Sequence, residues 1–176
     1  MALGFTTSTK RGQHYDLVKF TASKLKSANL AIKGRDERDF EHAIVSHLQA
    51  SPKLRNNLIT QIGTNEVEKI TQANMFGFSH RPDISIGNDG TAIEIKVIRS
   101  GSSIRDLLGQ AVVYRMHYRF VILVMVDLTQ DCRTVELCKD KKSQEFSLLS
   151  GLAEQMNVYT VIGGPNNDKK NQLFIS

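Results

Sequence analysis

Arg81-Pro82-Asp83-Ile84-Ser85-Ile86-Gly87-Asn88-Asp89-Gly90-Thr91-Ala92-Ile93-Glu94-Ile95-Lys96-Val97 is the stretch that decides the fold. Two alternating runs flank Gly87-Asn88-Asp89-Gly90, a turn-forming composition, so the segment reads as a β-hairpin. A two-residue loop at Asn88-Asp89 makes paired positions sum to 177, which sets Ile86 opposite Thr91, Ile84 opposite Ile93 and Asp83 opposite Glu94. A bulge at Gly90 would move the register by about one residue and leave the two acids neighbours. Period 2 puts Ile84, Ile86, Ile93, Ile95 and Val97 on a core face. Asp83, Ser85, Glu94 and Lys96 share the other.

Carboxylates directly opposed on a sheet have Cβ atoms about 4.5–5.5 Å apart and repel. A sequence shaped only for folding avoids that arrangement. A divalent cation removes the objection, because Mg²⁺ takes a few carboxylate oxygens and leaves its other positions to water and phosphate. Lys96 sets an ammonium beside such a site, where it can hold a water or a phosphate oxygen. Metal, ammonium and bound water together are the equipment for attacking a phosphodiester. The plainer reading is a surface hairpin in which Lys96 neutralises the acids as an ion-pair triad.

Outward from the hairpin, Ser103 and Asp106 resemble a capping box opening a helix from about Ile104 to His117. Phe120 to Asp127 is continuously apolar until its last residue, as expected of a strand buried on both faces. A helix near Ser143 to Met156, a strand at Val158 to Ile162, a polar loop from Gly163 to Asn171 and a short end at Leu173 to Ile175 follow. Upstream, Asp36 can cap a helix whose first turn holds Asp39 and whose stripe is Phe40, Ile44 and Leu48; Ser51-Pro52 stops it. Strand-like material lies around Leu58 to Ile62 and Val67 to Phe76. From about Tyr15 to Ile32, Val18, Ala22, Leu25 and Ile32 recur at helical spacing, with Lys19, Lys26 and Lys33 on another side and Gly34 as the terminating residue. Residues 1 to 12 read as a polar, mobile tail. The order is that of an α/β domain layered around one mixed sheet.

At 176 residues with 40% hydrophobic and 23% charged residues, 12 Gly and 3 Pro, one ordinary domain fits and disordered or collagen-like classes are excluded. The longest strongly apolar run, Phe120 to Val126, falls far short of the roughly 20 residues of a membrane span. With no apolar leader segment and only Cys132 and Cys138, flanking a hairpin-like segment, the expectation is a reduced, cytoplasmic protein without a disulfide scaffold or a four-ligand zinc site. Net charge is +5, but residues 1–35 alone carry +6 (seven cations against Asp16), leaving −1 for the rest. A basic 1–34 segment on a nearly neutral 35–176 body points to a polyanion, nucleic acid first, or else to a solvated arm. His42 and His47 are five apart and do not face together, and Gly163-Gly164-Pro165 is a loop without a phosphate-binding fingerprint.

Pro82-Asp83, ten intervening residues and Glu94-Ile95-Lys96, set in a hairpin, resemble the signature of the PD-(D/E)XK nuclease superfamily. Residues 36 to 127, about half the chain, also follow that family's order of a helix, strands, a helix and a strand. The resemblance implies a restriction-endonuclease-like αβββαβ core with an extra basic N-terminal helix. It implies that Asp83, Glu94 and the Ile95 carbonyl ligate Mg²⁺ or Mn²⁺, and that Lys96 orients or activates the attacking water. Many members add a glutamate from the first core helix; Glu41 matches best, with Glu37, one turn earlier, as the alternative. Some branches carry a glutamine and a tyrosine on the helix after the motif, and Gln110 and Tyr114 look like that pair, beside the site or the substrate backbone. The implied activity is metal-dependent hydrolysis of DNA, endonucleolytic in preference, with a homodimer favoured if both strands are cut. Lys19, Lys26, Lys33, Arg81, Arg99 and Arg115 are the cations expected at phosphates, with His80, Arg105 and Arg119 as weaker candidates. The competing expectation is a nucleic-acid-binding module that keeps the fold without cutting. A general protein-interaction domain would leave the acid pair unexplained.

Overall fold

In the computed structural model, the described residues are 9–30, 36–62, 72–165 and 172–176. A six-stranded mixed sheet runs in the order β1-β4-β5-β6-β7-β8 between two layers of helices. Its strands are β1 (Leu58–Thr60), β4 (Ile84–Ile86), β5 (Thr91–Ile98), β6 (Phe120–Asp127), β7 (Val158–Gly163) and β8 (Leu173–Ile175). β1, β4 and β5 are antiparallel, β5, β6 and β7 parallel, and β8 closes the sheet antiparallel to β7. A separate two-stranded hairpin, β2 (Ala73–Met75) with β3 (Phe78–His80), precedes β4.

One layer holds α1 (Gln13–Lys26), α2 (Glu37–Gln49) and the single turn α3 (Pro52–Arg55). Its core combines Val18, Ala22 and Leu25 of α1, Phe40, Ile44 and Leu48 of α2, and the odd-numbered apolar residues of β5. α2 starts where the sequence signals it: Asp36 accepts from the Asp39 N–H at 2.9 Å, and Asp39 answers at the Asp36 N–H. Burying a side chain such as Phe40 contributes about 1.5–3 kcal/mol. α4 (Gly101–Arg115), α5 (Arg133–Lys139) and α6 (Gln144–Met156) form the other layer. Because both faces of β6 are covered, Phe120, Ile122, Val124 and Val126 point one way and Val121, Leu123 and Met125 the other.

The β4–β5 register is Ile84↔Ile93, Ser85↔Ala92 and Ile86↔Thr91, the sum of 177 expected from the turn. Gly87 takes φ +71°, and a Cβ on Gly90 would collide with the Ile86 carbonyl, so both glycines are required by the bend. The turn is pinned to the start of β6 by Arg119, whose guanidinium pairs with Asp89 at 2.9 Å.

Several boundaries differ from the sequence expectation. α1 ends at Lys26 rather than Ile32; Gln172 binds the Lys26 and Ala28 carbonyls and holds the chain in non-helical form there. Ile32, Lys33 and Gly34 lie outside the described residues, as does most of the N-terminal tail, and α1 carries Lys19 and Lys26 of the three lysines. α1 is not an appendage, because Val18, Ala22 and Leu25 belong to the main core. α4 opens at Gly101 after Ser100, which makes no side-chain cap, so Ser103 and Asp106 sit inside it. Cys132 to Cys138 is helical: Asp131 and Cys132 take φ of 55° and 51° and feed α5. The buried Asp127 carboxylate holds this corner by accepting from the N–H groups of Thr129 and Val135. Neither cysteine is in a disulfide, both are buried, and burial pushes the Cys138 thiol up to about 11. No helix among the described residues is long and apolar enough to cross a membrane.

Candidate active site

The site lies where β4 gives out. In β5 the N–H and C=O of Ile93, Ile95 and Val97 all point toward β4, since groups of one parity share an edge. Ile93 is paired with Ile84, but no strand residue remains opposite Ile95 and Val97. Carboxylates replace it. Asp83 Oδ2 accepts the Ile95 N–H at 2.7 Å, and Glu37 Oε2 accepts the Val97 N–H at 3.3 Å. The Ile95 carbonyl faces the same edge, beside Asp83.

Glu94 and Lys96 project to the α4 side, with Ser85. Glu94 is 5% exposed, and its Oε2 has no hydrogen-bond partner. Burial above all, then the Asp83 charge, holds its carboxyl well above the ordinary range, partly offset by hydrogen bonding from the Asp83 backbone. Burial likewise lifts Asp83 to about 7, against the pull of the Ile95 N–H and with help from Glu41 and Glu37. The edge of β5 is uncovered at Lys96, and there its ammonium meets Glu37 Oε1 at 2.9 Å. Burial disfavours that ammonium, but the hydrogen bond and charge of Glu37, with Glu94 and Asp83, outweigh it and raise its pKa.

The two helix acids therefore divide their tasks. Glu37 is engaged with Lys96 and the strand edge. Glu41, half-buried one turn on, makes no hydrogen bond or ion pair among the described residues, and burial, then Glu37, raises its pKa. On α4, Gln110 and Tyr114 are one turn apart on a face that meets the sheet. Gln110 Oε1 is buried without a partner, and the Tyr114 hydroxyl donates to the Arg81 carbonyl at 3.0 Å. Three of the six unpartnered buried side-chain oxygens among the described residues thus belong to Ser85, Glu94 and Gln110, on this one side of the hairpin. Buried polar atoms are seldom left so. Sequence reasoning had placed Ser85 on the acid face without giving it a part.

Among the described residues, no three His, Cys, Asp or Glu side chains are gathered closely enough to cage an ion on their own. The donor set still suits Mg²⁺, which keeps several waters and needs only one or two carboxylates. Glu94 Oε2 is the orphaned oxygen that such a cation would satisfy.

Two of the expected nucleic-acid contacts are excluded by burial. Tyr114 is 1% exposed and serves the Arg81 carbonyl. Arg115 is buried and donates to the carbonyls of Tyr118 and Met156, with burial lowering its pKa to about 10. Arg115→Met keeps the stem packing but orphans both carbonyls. We expect a loss of about 2–3 kcal/mol, or roughly 5–10 °C in melting temperature, with DNA affinity unchanged. Thermal melts beside a binding titration check it. Lys19 and Lys26 are exposed on α1, with the Lys19 ammonium 5.4 Å from the Tyr15 ring. Arg99 is exposed at a cleft of about 720 Å³ between the start of α4 and α5, and Arg81 is half-buried where β3 leads into the motif. No protein-family model, curated protein or solved structure matches the chain.

Proposed function

We propose that this protein is a metal-dependent nuclease with a restriction-endonuclease-like core, hydrolysing DNA at the Asp83–Glu94–Lys96 cluster. The observation that carries the reading is the unpartnered, buried Glu94 Oε2 beside Asp83, in a pair whose charges are costly without a cation. The order α2, β1, β4, β5, α4, β6 fits the αβββαβ arrangement, with β2–β3 inserted. Asp83, Glu94 and the Ile95 carbonyl would hold Mg²⁺ or Mn²⁺, with Glu41 as the further acid. Such a cation, when bound, acidifies a water and offsets the charge that builds on the phosphate. Lys96 holds its ammonium at the uncovered strand edge, fully protonated, to orient that water or a phosphate oxygen. Glu37 positions Lys96. Gln110 offers an amide to the same side of the sheet. Lys19 and Lys26 suit phosphate contacts, which hold the duplex without reading bases.

A second reading, a nucleic-acid-binding module of the same fold, is favoured by the Lys96–Glu37 ion pair, which occupies the ammonium, and by the finding that no three ligating side chains are gathered among the described residues. The two separate in one assay. Linear, circular, single-stranded and branched DNA are incubated with Mg²⁺ or Mn²⁺, beside thermal melts with and without the metal. Cleavage with metal-dependent stabilisation is expected. Binding without either supports the second reading.

A further inference from the structure

The β2–β3 hairpin carries the two most exposed large apolar side chains among the described residues, Phe76 at 89% and Phe78 at 71%. Pairing of Met75 with Phe78 leaves Phe76-Gly77 as a two-residue loop. Both take positive φ, 54° and 81°, the geometry for which Asn-Gly is the favoured sequence. A bulky aromatic at positive φ is strained. Here the strain gains no burial, so packing does not explain it.

The root of this hairpin is held firmly. Ala73 is fully buried among the residues facing α4, and Ser79 Oγ donates to Asn74 Oδ1 at 3.0 Å across the strands. The Arg81 carbonyl takes both the Tyr114 hydroxyl and the Gln61 amide. β3 then runs through Arg81-Pro82 straight into Asp83. Phe78 is five residues before Asp83, at most about 17 Å of extended chain, or roughly five base steps. From Gln72 to Pro82 there is no carboxylate, and the ionisable groups are His80 and Arg81. A polyanion can therefore approach this arm without repulsion from it.

We propose that the β2–β3 hairpin is a base-stacking wedge, in which Phe76 and Phe78 engage an unpaired or unstacked base near the bond to be cut. The substrate class is then DNA with exposed bases, such as bulges, flaps, junctions or frayed ends, in preference to intact duplex. This rests on the nuclease reading for its purpose, but binding alone tests it.

Wild type and F76A/F78A are titrated against a duplex and against the same duplex carrying an unpaired 2-aminopurine, in Ca²⁺ and in EDTA. Wild type should favour the bulged DNA and change the probe's fluorescence. The double variant should lose ten- to a hundred-fold on bulged DNA, little on duplex, with the same salt slope, because stacking releases no counterions. Phe76→Asn creates the favoured turn and should melt at the same temperature or higher while weakening the fluorescence change, which separates lost stacking from misfolding. Equal affinity of wild type and double variant for the bulged DNA overturns the wedge and makes the pair a protein-docking surface. A wild type that discriminates through Phe76 and Phe78 yet cuts no DNA form upholds the wedge and overturns the nuclease reading. Cleavage that ignores both phenylalanines does the reverse.

Discussion

Asp83→Asn is expected to abolish Mg²⁺-dependent cleavage, by roughly a thousand-fold, the size of losing an electrostatic clamp in a water-excluded site. The metal-free protein should meanwhile be as stable as wild type, or more so. Asparagine keeps an oxygen for the Ile95 N–H, so no strand-edge donor is orphaned. What it removes is a charge that folding disfavours. Asp83 rises from 3.8 to about 7, chiefly through burial, so between about pH 4 and pH 7 the folded protein holds a proton that the unfolded chain has released. Stability without metal therefore falls as pH rises through that window and levels off above it. Glu94 shares the burial and shifts the same way, so the fall reports the pair. The advantage of Asp83→Asn over wild type should be largest near pH 8 and shrink toward pH 4. Mg²⁺ at a hundred times its dissociation constant should stabilise wild type by about 2.7 kcal/mol, roughly 5–10 °C, and leave Asp83→Asn unmoved. Melts across pH, with and without Mg²⁺, measure both effects. A variant that still cuts, or a wild type indifferent to Mg²⁺ at every pH, would remove Asp83 from the site.

How much of this was legible in the sequence follows from the range of the forces involved. The hairpin register was legible because period 2 and a short turn are local, and a slip of one residue would turn Ile84, Ile93 and Ile95 away from the α1–α2 core and send the acids into it. Asp36 with Asp39 marked the start of α2 for the same reason, since a capping box spans four residues. The end of α1 was not legible. Leu30 stays buried after the helix stops, and the chain there is tied to Gln172, 144 residues from Ala28. Nor was the fate of Arg115, a helix cation that reads as exposed until the Met156 carbonyl, 41 residues on, closes over it together with the nearby Tyr118 carbonyl.

The candidate site divides along the same line. Asp83, Glu94 and Lys96 stood out because strand alternation and one turn bring them together. Glu37 was named only as an alternative to Glu41, because its bond to Lys96 joins residues 59 apart. No local pattern distinguishes two acids one turn apart on the same helix. The strand edge that selects between them exists only after β4 has ended. The exposed Phe76 and Phe78 escaped notice for a related reason. Phe76 read as the end of a strand-like stretch and Phe78 fell in no assigned element, and strain at Phe76 is visible only in its backbone angle.

Lys96→Met separates catalysis from charge balance, and the structure alters what it should do. If Lys96 served to neutralise Asp83 and Glu94, its loss would strand two buried acids and destabilise the fold by several kcal/mol. Its ion pair, however, is with Glu37, whose side chain is 37% exposed and keeps the Val97 N–H when the ammonium goes. Pairs so open to solvent contribute about 0–1 kcal/mol. Methionine retains most of the lysine stem, so packing changes little. We therefore expect a melting temperature within about 3 °C of wild type, since each kcal/mol moves a domain of this size by roughly 2–4 °C. The Mg²⁺-dependent stabilisation should persist, because the oxygens of Asp83, Glu94 and Ile95 are untouched. DNA affinity should persist as well, apart from the contribution of one cation to the salt slope. Cleavage alone should fall, by about a hundred-fold or more, the usual contribution of a side chain that positions or deprotonates the attacking group. Single-turnover cleavage, melts and binding titrations on the one variant read out all four. A collapse in stability with loss of the Mg²⁺ effect would make Lys96 a strut for the acid pair. Near-wild-type cleavage would leave it without a part in the reaction.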